Sequence, residues 1–234
     1  MNGIVIVDKP QDWTSQDVVS KLRGVFQTRR IGHGGTLDPM ATGVLPVFVG
    51  RATRGVEFFE HAEKTYEATI RLGIATDTED ITGTVLEERN ADISEEKFLE
   101  ILEQFRGDIQ QIPPMYSALK VNGQKLCDLA RKGKEVERKA RHVAVLGYEI
   151  TRIDLVAAEV DFTVHCSKGF YVRTYAHDIG QFLGCGAHLT ALRRIRSGKF
   201  DISEAVDVPT LKAAGRDELL ARLLPVEKVL ADRS

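Results

Sequence analysis

Cysteine is scarce in this chain of 234 residues: Cys127, Cys166 and Cys185 are the only three, an odd number with no two-residue spacing between any pair. That excludes a disulfide framework and a paired-cysteine zinc or redox motif, and leaves reduced thiols as the expectation. Long apolar runs are missing too. No stretch approaches the roughly 20 residues needed to span a bilayer, and the opening MNGIVIVDKP has no basic segment leading into an apolar one. The expected location is the cytoplasm. There is no P-loop, no dinucleotide-binding fingerprint, no internal repeat and no low-complexity segment. An excess of charge of one sign is absent as well: the net charge is −2, which taken alone argues against a nucleic-acid partner. With 43% hydrophobic and 28% charged residues, disorder and fibre are excluded and a soluble globular chain is expected.

The average conceals segregation. From Ser117 to Arg141 eight basic residues face three acidic ones, a local +5; from Thr163 to Phe200 six face Asp178 alone, again +5; between Glu79 and Asp108 ten acids face three bases, a local −7. Such partition can give a neutral protein one positive face, the footprint of a phosphate-backbone partner, and it equally fits solvated helix faces.

Periodicity sets the elements. Ile4–Val7 reads as a short apolar strand, and Thr14 caps a helix carrying Val18, Val19, Leu22, Val25 and Phe26 on one face. The run Val44–Val49 reads as a buried strand. Tyr66, Ala68, Ile70 and Leu72 alternate with polar residues, as do Val160, Phe162, Val164 and Cys166. Ser94 opens a helix bearing Phe98, Ile101, Leu102 and Phe105. Strands and helices interleave without a strict βαβ rhythm, so the expected fold is α+β: a mixed, largely antiparallel sheet flanked by helices, in one domain over 1–234. One stretch departs from this pattern. Residues 117–142 are basic and thinly apolar, with Leu126, Leu129 and Ala130 on a short helix ended by Gly133, and they are expected to form an insertion that an anionic partner orders.

The chemistry concentrates in Gly32–Gly43, GHGGTLDPMATG, where four glycines and Pro39 bracket one carboxylate, Asp38. Glycine opens backbone conformations closed to other residues, and proline biases the preceding residue toward an extended one, so the segment presents Asp38 rigidly. An aspartyl phosphotransferase would want a second carboxylate two residues on, where Met40 stands. His165, Cys166, His177, Cys185 and His188 fit no familiar metal spacing. No metal site is expected.

This segment resembles the catalytic-aspartate motif of the bacterial tRNA pseudouridine-55 synthases. Further segments agree in order and spacing: DKPQDWTS, KTYEATIRLGIATDTEDITG, PPMYSALKVNGQKLCDLARKG, CSKGFYVRTYAHDIG and GCGAHLTALRRIRSG. The resemblance implies a pseudouridine synthase fold, Asp38 as catalytic aspartate, Tyr66 stacked on the target base, and Arg173 paired with the catalytic carboxylate. It implies that His33 helps hold displaced T-loop nucleotides and that Tyr171 and Leu192 line the uridine pocket. Residues 117–142 correspond to a thumb that folds over RNA, with Lys120, Arg131, Lys132, Arg141 and Arg193 as RNA contacts. The implied partner is the T-arm of tRNA, bound by a monomer with no cofactor, no obligate protein partner and no membrane. A non-catalytic RNA-binding protein on the same scaffold and an RNA-guided, dyskerin-like synthase are the alternatives. Two residues depart from the pattern: Asp12 stands where glycine is common, and Cys127 where an aromatic is. Many relatives continue into a small C-terminal RNA-binding domain, expected here to be absent or not included.

Overall fold

The computed structural model describes residues 1–226. Its strands and helices, in chain order, begin with β1 (Gly3–Lys9), α1 (Ser15–Val25), β2 (Ile31–His33), β3 (Thr42–Val49), α2 (Val56–Glu60) and β4 (Lys64–Leu72). Next come β5 (Ile74–Thr76), β6 (Val85–Glu88), α3 (Glu95–Gln104), β7 (Gly107–Gln111), β8 (Lys120–Val121), β9 (Gln124–Lys125) and α4 (Leu126–Ala130). The remainder are β10 (Arg141–Asp154), β11 (Glu159–Cys166), α5 (Val172–Leu183), β12 (Ala187–Ser197), β13 (Phe200–Asp201), β14 (Val206–Asp207), α6 (Val208–Ala213) and α7 (Arg216–Ala221). The chain divides into two compact units, one of Met1–Tyr66 with the residues from Arg193 onward, the other Glu67–Leu192.

In the first unit β3 is the organising strand. It pairs antiparallel with β1 from Gly3↔Val49 to Lys9↔Gly43, antiparallel with β2 from Ile31↔Val49 to His33↔Val47, and parallel with β12 at Thr42↔Arg193 and Gly43↔Arg194. β14 lies parallel to β1. The α1 helix forms where the spacing predicts: Thr14 caps it, the Asp17 carboxylate answers with the reciprocal bond, and Val18, Val19 and Leu22 are buried. The apolar core joins Ile4, Ile6, Val44, Phe48, Phe59 and Phe200, with ring centroids 5.2 Å apart for Phe48 and Phe59 and 5.5 Å for Phe59 and Phe200.

In the second unit the strand order runs β4, β11, β10, β7. The long β10 pairs antiparallel with both β11 and β7, with two irregularities of register against β11. Ser94 caps α3 as expected, burying Phe98, Ile101 and Leu102, and Phe105, Phe162 and Phe170 surround the fully buried Tyr175 of α5. The basic insertion is a small hairpin, β8–β9, turned by Asn122 and Gly123, both with positive φ, followed by α4 with Leu126 and Leu129 buried. Gly133 ends that region in the left-handed conformation. The first unit mixes parallel and antiparallel pairs, and in the second β10 runs antiparallel to both of its neighbours. Among the described residues no helix is long and apolar enough to cross a membrane.

Candidate active site

Asp38 sits in the wide loop, residues 34–41, that joins β2 to β3. The glycines around it act in different ways. Gly35 and Gly43 take φ of +79° and +101°, and a Cβ on Gly43 would lie 2.2 Å from the Arg194 carbonyl oxygen. Gly34 has no positive φ; it is small because the Phe48 ring would stand 3.0 Å from any Cβ there. The conformational freedom expected of the glycines in this segment is therefore used at Gly35 and Gly43 and not at Gly34.

Three buried polar side chains, none of them singled out in the sequence, hold this loop. Ser15 Oγ accepts from Leu37 N at 2.9 Å and donates to Leu37 O at 3.2 Å. Lys9, with no exposed surface, directs Nζ at Pro10 O, Trp13 O and Pro39 O at 2.9, 2.5 and 3.3 Å. Burial pulls its ammonium down to a pKa of about 8, against the raising fields of Asp38 and Asp12. Arg194, 1% exposed, donates from Nε to Val44 O at 2.7 Å and from Nη2 to Gly35 O at 2.9 Å, gripping both ends of the loop. Asp12 N adds a bond to Pro39 O at 2.8 Å. Asp12 has φ of +64°, a conformation glycine adopts without cost and aspartate tolerates better than most residues, which explains why glycine is common there.

The same unit holds His33, half-buried on β2, and Tyr66, buried on β4. Burial, and then the Arg194 charge, lower the His33 pKa, which favours the neutral ring at neutral pH. Arg193 faces Asp8 in a fork of two bonds, 3.0 and 2.8 Å, and also reaches Thr42 Oγ1 at 3.2 Å.

The second unit holds Arg173, Tyr171 and Leu192. Arg173, 3% exposed in the first turn of α5, donates to Thr78 O at 2.9 Å and Tyr116 O at 2.8 Å, and its Nε lies 3.7 Å from Asp80 Oδ2. Asp80 is itself held by the Thr78 and Thr82 hydroxyls and by Thr82 N. The preceding Glu79, at φ +63°, accepts from the Thr174 hydroxyl at 2.7 Å, and burial pushes its carboxyl up. Tyr171 exchanges two backbone bonds with the Gln111 amide, 2.9 and 3.1 Å, and Leu192 is buried in β12. Lys120, Arg131, Lys132 and Arg141 are exposed on or beside the β8–β9 hairpin and α4. Among the described residues no three His, Cys, Asp or Glu side chains group as metal ligands.

A second basic surface lies in the first unit, assembled from α1, the approach to β2 and the turn after β3. Arg23, Arg29, Arg30, Arg51 and Arg54 are all exposed there, and none makes an ion pair among the described residues. Backbone bonds bring their segments together: Thr28 N donates to Arg23 O at 3.2 Å, and Gly50 N to Arg30 O at 2.8 Å.

Residues 23–172 match the family described as TruB family pseudouridylate synthase (N terminal domain), and residues 173–231 match the tRNA pseudouridylate synthase B C-terminal domain. Among curated relatives, the tRNA pseudouridine synthase B of Francisella philomiragia is 47% identical over 236 residues, spanning all of this chain and 77% of that protein. That of Syntrophotalea carbinolica is 45% identical over 233 residues, spanning 99% and 76%. Among solved structures, a chain of a Cbf5–Nop10–Gar1 complex superposes with a TM-score of 0.74 at 31% identity, covering 97% of this chain and 60% of that one.

Proposed function

The chain belongs to the TruB family of pseudouridylate synthases, and from that premise we propose that it converts the T-loop uridine of tRNA, U55, to pseudouridine with Asp38 as the reacting carboxylate. The observation that carries the assignment is the grip on Asp38: the peptide groups around it are bonded to Ser15, Lys9, Asp12 and Ala41. A loop so fully held is suited to aiming one carboxylate and poorly suited to recognising shape by adjustment.

The reaction breaks the N1–C1′ bond, turns the uracil over and joins C5 to C1′. No atom is lost and no electron pair leaves, so its balance calls for no cofactor. Asp38 serves as nucleophile or as base; both routes need it ionised and aimed. Arg173 is read from the resemblance as the cation for that carboxylate, and its burial with bonds to Thr78 and Tyr116 supports a guanidinium held in one place. Tyr66 is read as the base-stacking side chain, worth about 1–3 kcal/mol per stacked base, comparable with the few kcal/mol that unstacking the nucleotide costs. The thumb cations and the five arginines of the first unit suit a polyanion longer than one nucleotide. The higher identity to the tRNA pseudouridine synthase B relatives, 47%, than to the chain of the Cbf5 complex, 31%, favours a single chain acting on tRNA over an RNA-guided assembly.

The test is incubation of the purified chain with an unmodified T-stem-loop, followed by chemical mapping of pseudouridine. Wild type should modify the one T-loop uridine. Asp38→Asn, which keeps size and hydrogen bonding, should bind the RNA as wild type does and form no product. Turnover by the Asn variant, purified free of host enzyme, would remove Asp38 from this role.

A further inference from the structure

Asp38 lies between two peptide planes, and each is tied by a different bond. The carbonyl behind it, Leu37 O, accepts from the Ser15 hydroxyl, which also accepts from Leu37 N. Its own carbonyl accepts from Ala41 N at 3.0 Å. Holding both planes holds φ and ψ of Asp38, and so the direction in which its side chain leaves the backbone. The second bond is local to the loop. The first comes from 22 residues away, from a side chain 2% exposed at the first position of α1. Ser15 is in turn anchored, because the preceding Thr14 closes a reciprocal cap with Asp17. A hydroxyl is the side chain that can donate and accept at once at this size, and both of its partners are backbone groups of Leu37, the residue before Asp38.

We propose that Ser15 is a positioning residue for the isomerisation: its two bonds to Leu37 set the aim of the Asp38 carboxylate, and α1 is the rigid mount through which they act. The inference rests on the reading of Asp38 as the reacting group. Loss of the hydroxyl should therefore lower the chemical step and leave RNA binding alone, since Ser15 is buried and faces the protein.

The experiment measures single-turnover rate at saturating T-stem-loop, RNA affinity and melting temperature, for wild type, Ser15→Ala and Val19→Ala. Val19 is a buried apolar α1 position, so its truncation lowers stability without removing a polar bond from the loop. Ser15→Ala should slow the single-turnover rate by roughly 10–100-fold, the scale of a misplaced catalytic group, with affinity unchanged. Its Leu37 amide should exchange with solvent faster than in wild type. Val19→Ala, assayed well below its melting temperature, should keep the wild-type rate. If Ser15→Ala does not fold, Ser15→Cys, of similar shape with a much weaker donor and acceptor, replaces it under the same outcomes. A folded Ser15 variant that reacts as fast as wild type overturns the inference, as does an equal rate loss in Val19→Ala. A wild-type chain that leaves the RNA unmodified overturns the functional reading instead, and the inference with it.

Discussion

Lys9 should make this fold more stable as the solution turns alkaline, relative to a variant that lacks its amine. Its side chain is wholly buried, and burial lowers its pKa from 10.5 to about 8 despite the fields of Asp38 and Asp12. The unfolded chain keeps the ordinary value, so between about pH 8 and 10.5 the unfolded state binds more protons than the folded one, and stability rises with pH. Integrated to pH 10, the shift is worth about 2.5 kcal/mol at 1.36 kcal/mol per unit. The neutral amine still has two N–H groups for the carbonyls of Pro10, Trp13 and Pro39, so the bonds survive deprotonation in part. In Lys9→Met the burial cost disappears together with the donors. At pH 7 those effects oppose: unsatisfied carbonyls cost about 1–3 kcal/mol each, while relief of the buried charge returns a similar amount. The informative quantity is thus the change in the gap with pH, not its size at one pH. Reversible urea unfolding of wild type and Lys9→Met, from pH 7 to 10, measures it; titration of groups common to both proteins cancels in the difference. The gap should widen in favour of wild type by about 2.5 kcal/mol. A gap that is flat or narrows over that range would refute the claim that burial dominates at Lys9.

Tyr175→Phe should leave stability unchanged or raise it by about 1 kcal/mol, because the Tyr175 hydroxyl is buried with no hydrogen-bond partner among the described residues and its ring contacts survive; thermal melting of the variant below wild type would contradict this. Asp178 has its pKa pushed up to about 6 by burial, which costs stability as pH rises from about 4 through 6. Asp178→Asn should therefore gain about 1–2 kcal/mol at pH 8 and lose that advantage at pH 4, read by the same urea titrations. Arg29→Ala with Arg30→Ala, and separately Arg131→Ala with Lys132→Ala, should each weaken binding of the T-stem-loop. Each should also flatten the dependence of log affinity on log salt by about 0.7–0.9 for every phosphate left without its cation, with the saturated rate kept. An unchanged salt slope in either pair would take that surface out of the RNA interface.

Much of this architecture is legible in the sequence because its causes are local. Alternation in Tyr66–Leu72 and Val160–Cys166 marks strands; Thr14 and Ser94 mark helix starts, since a capping oxygen reaches amides only two or three residues ahead. The Asn122-Gly123 pair turns β8 into β9 for a similarly local reason. The glycine-bracketed Asp38 segment is likewise visible as a place where the backbone is arranged around one carboxylate. What holds that carboxylate is not visible. Ser15, Lys9 and Arg194 lie 22, 30 and 159 residues from the loop groups they bind, and read in sequence they are an N1 serine, the lysine of a KP dipeptide and one of two adjacent arginines. Those two arginines show the limit most clearly: Arg194 is buried on Val44 and Gly35 while Arg193 forks onto Asp8, because successive residues of a strand point to opposite faces and tertiary pairing decides which face is inside. The arginine surface of Arg23, Arg29, Arg30, Arg51 and Arg54 is divided in the same way, across segments that only the β2–β3 pairing and the turn after β3 bring side by side. Sequence determined which segments would be strand, helix or rigid loop, since those choices are settled within a few residues; folding decided which buried polar groups meet, since a donor desolvated by the core must be satisfied by whatever distant chain the core brings against it.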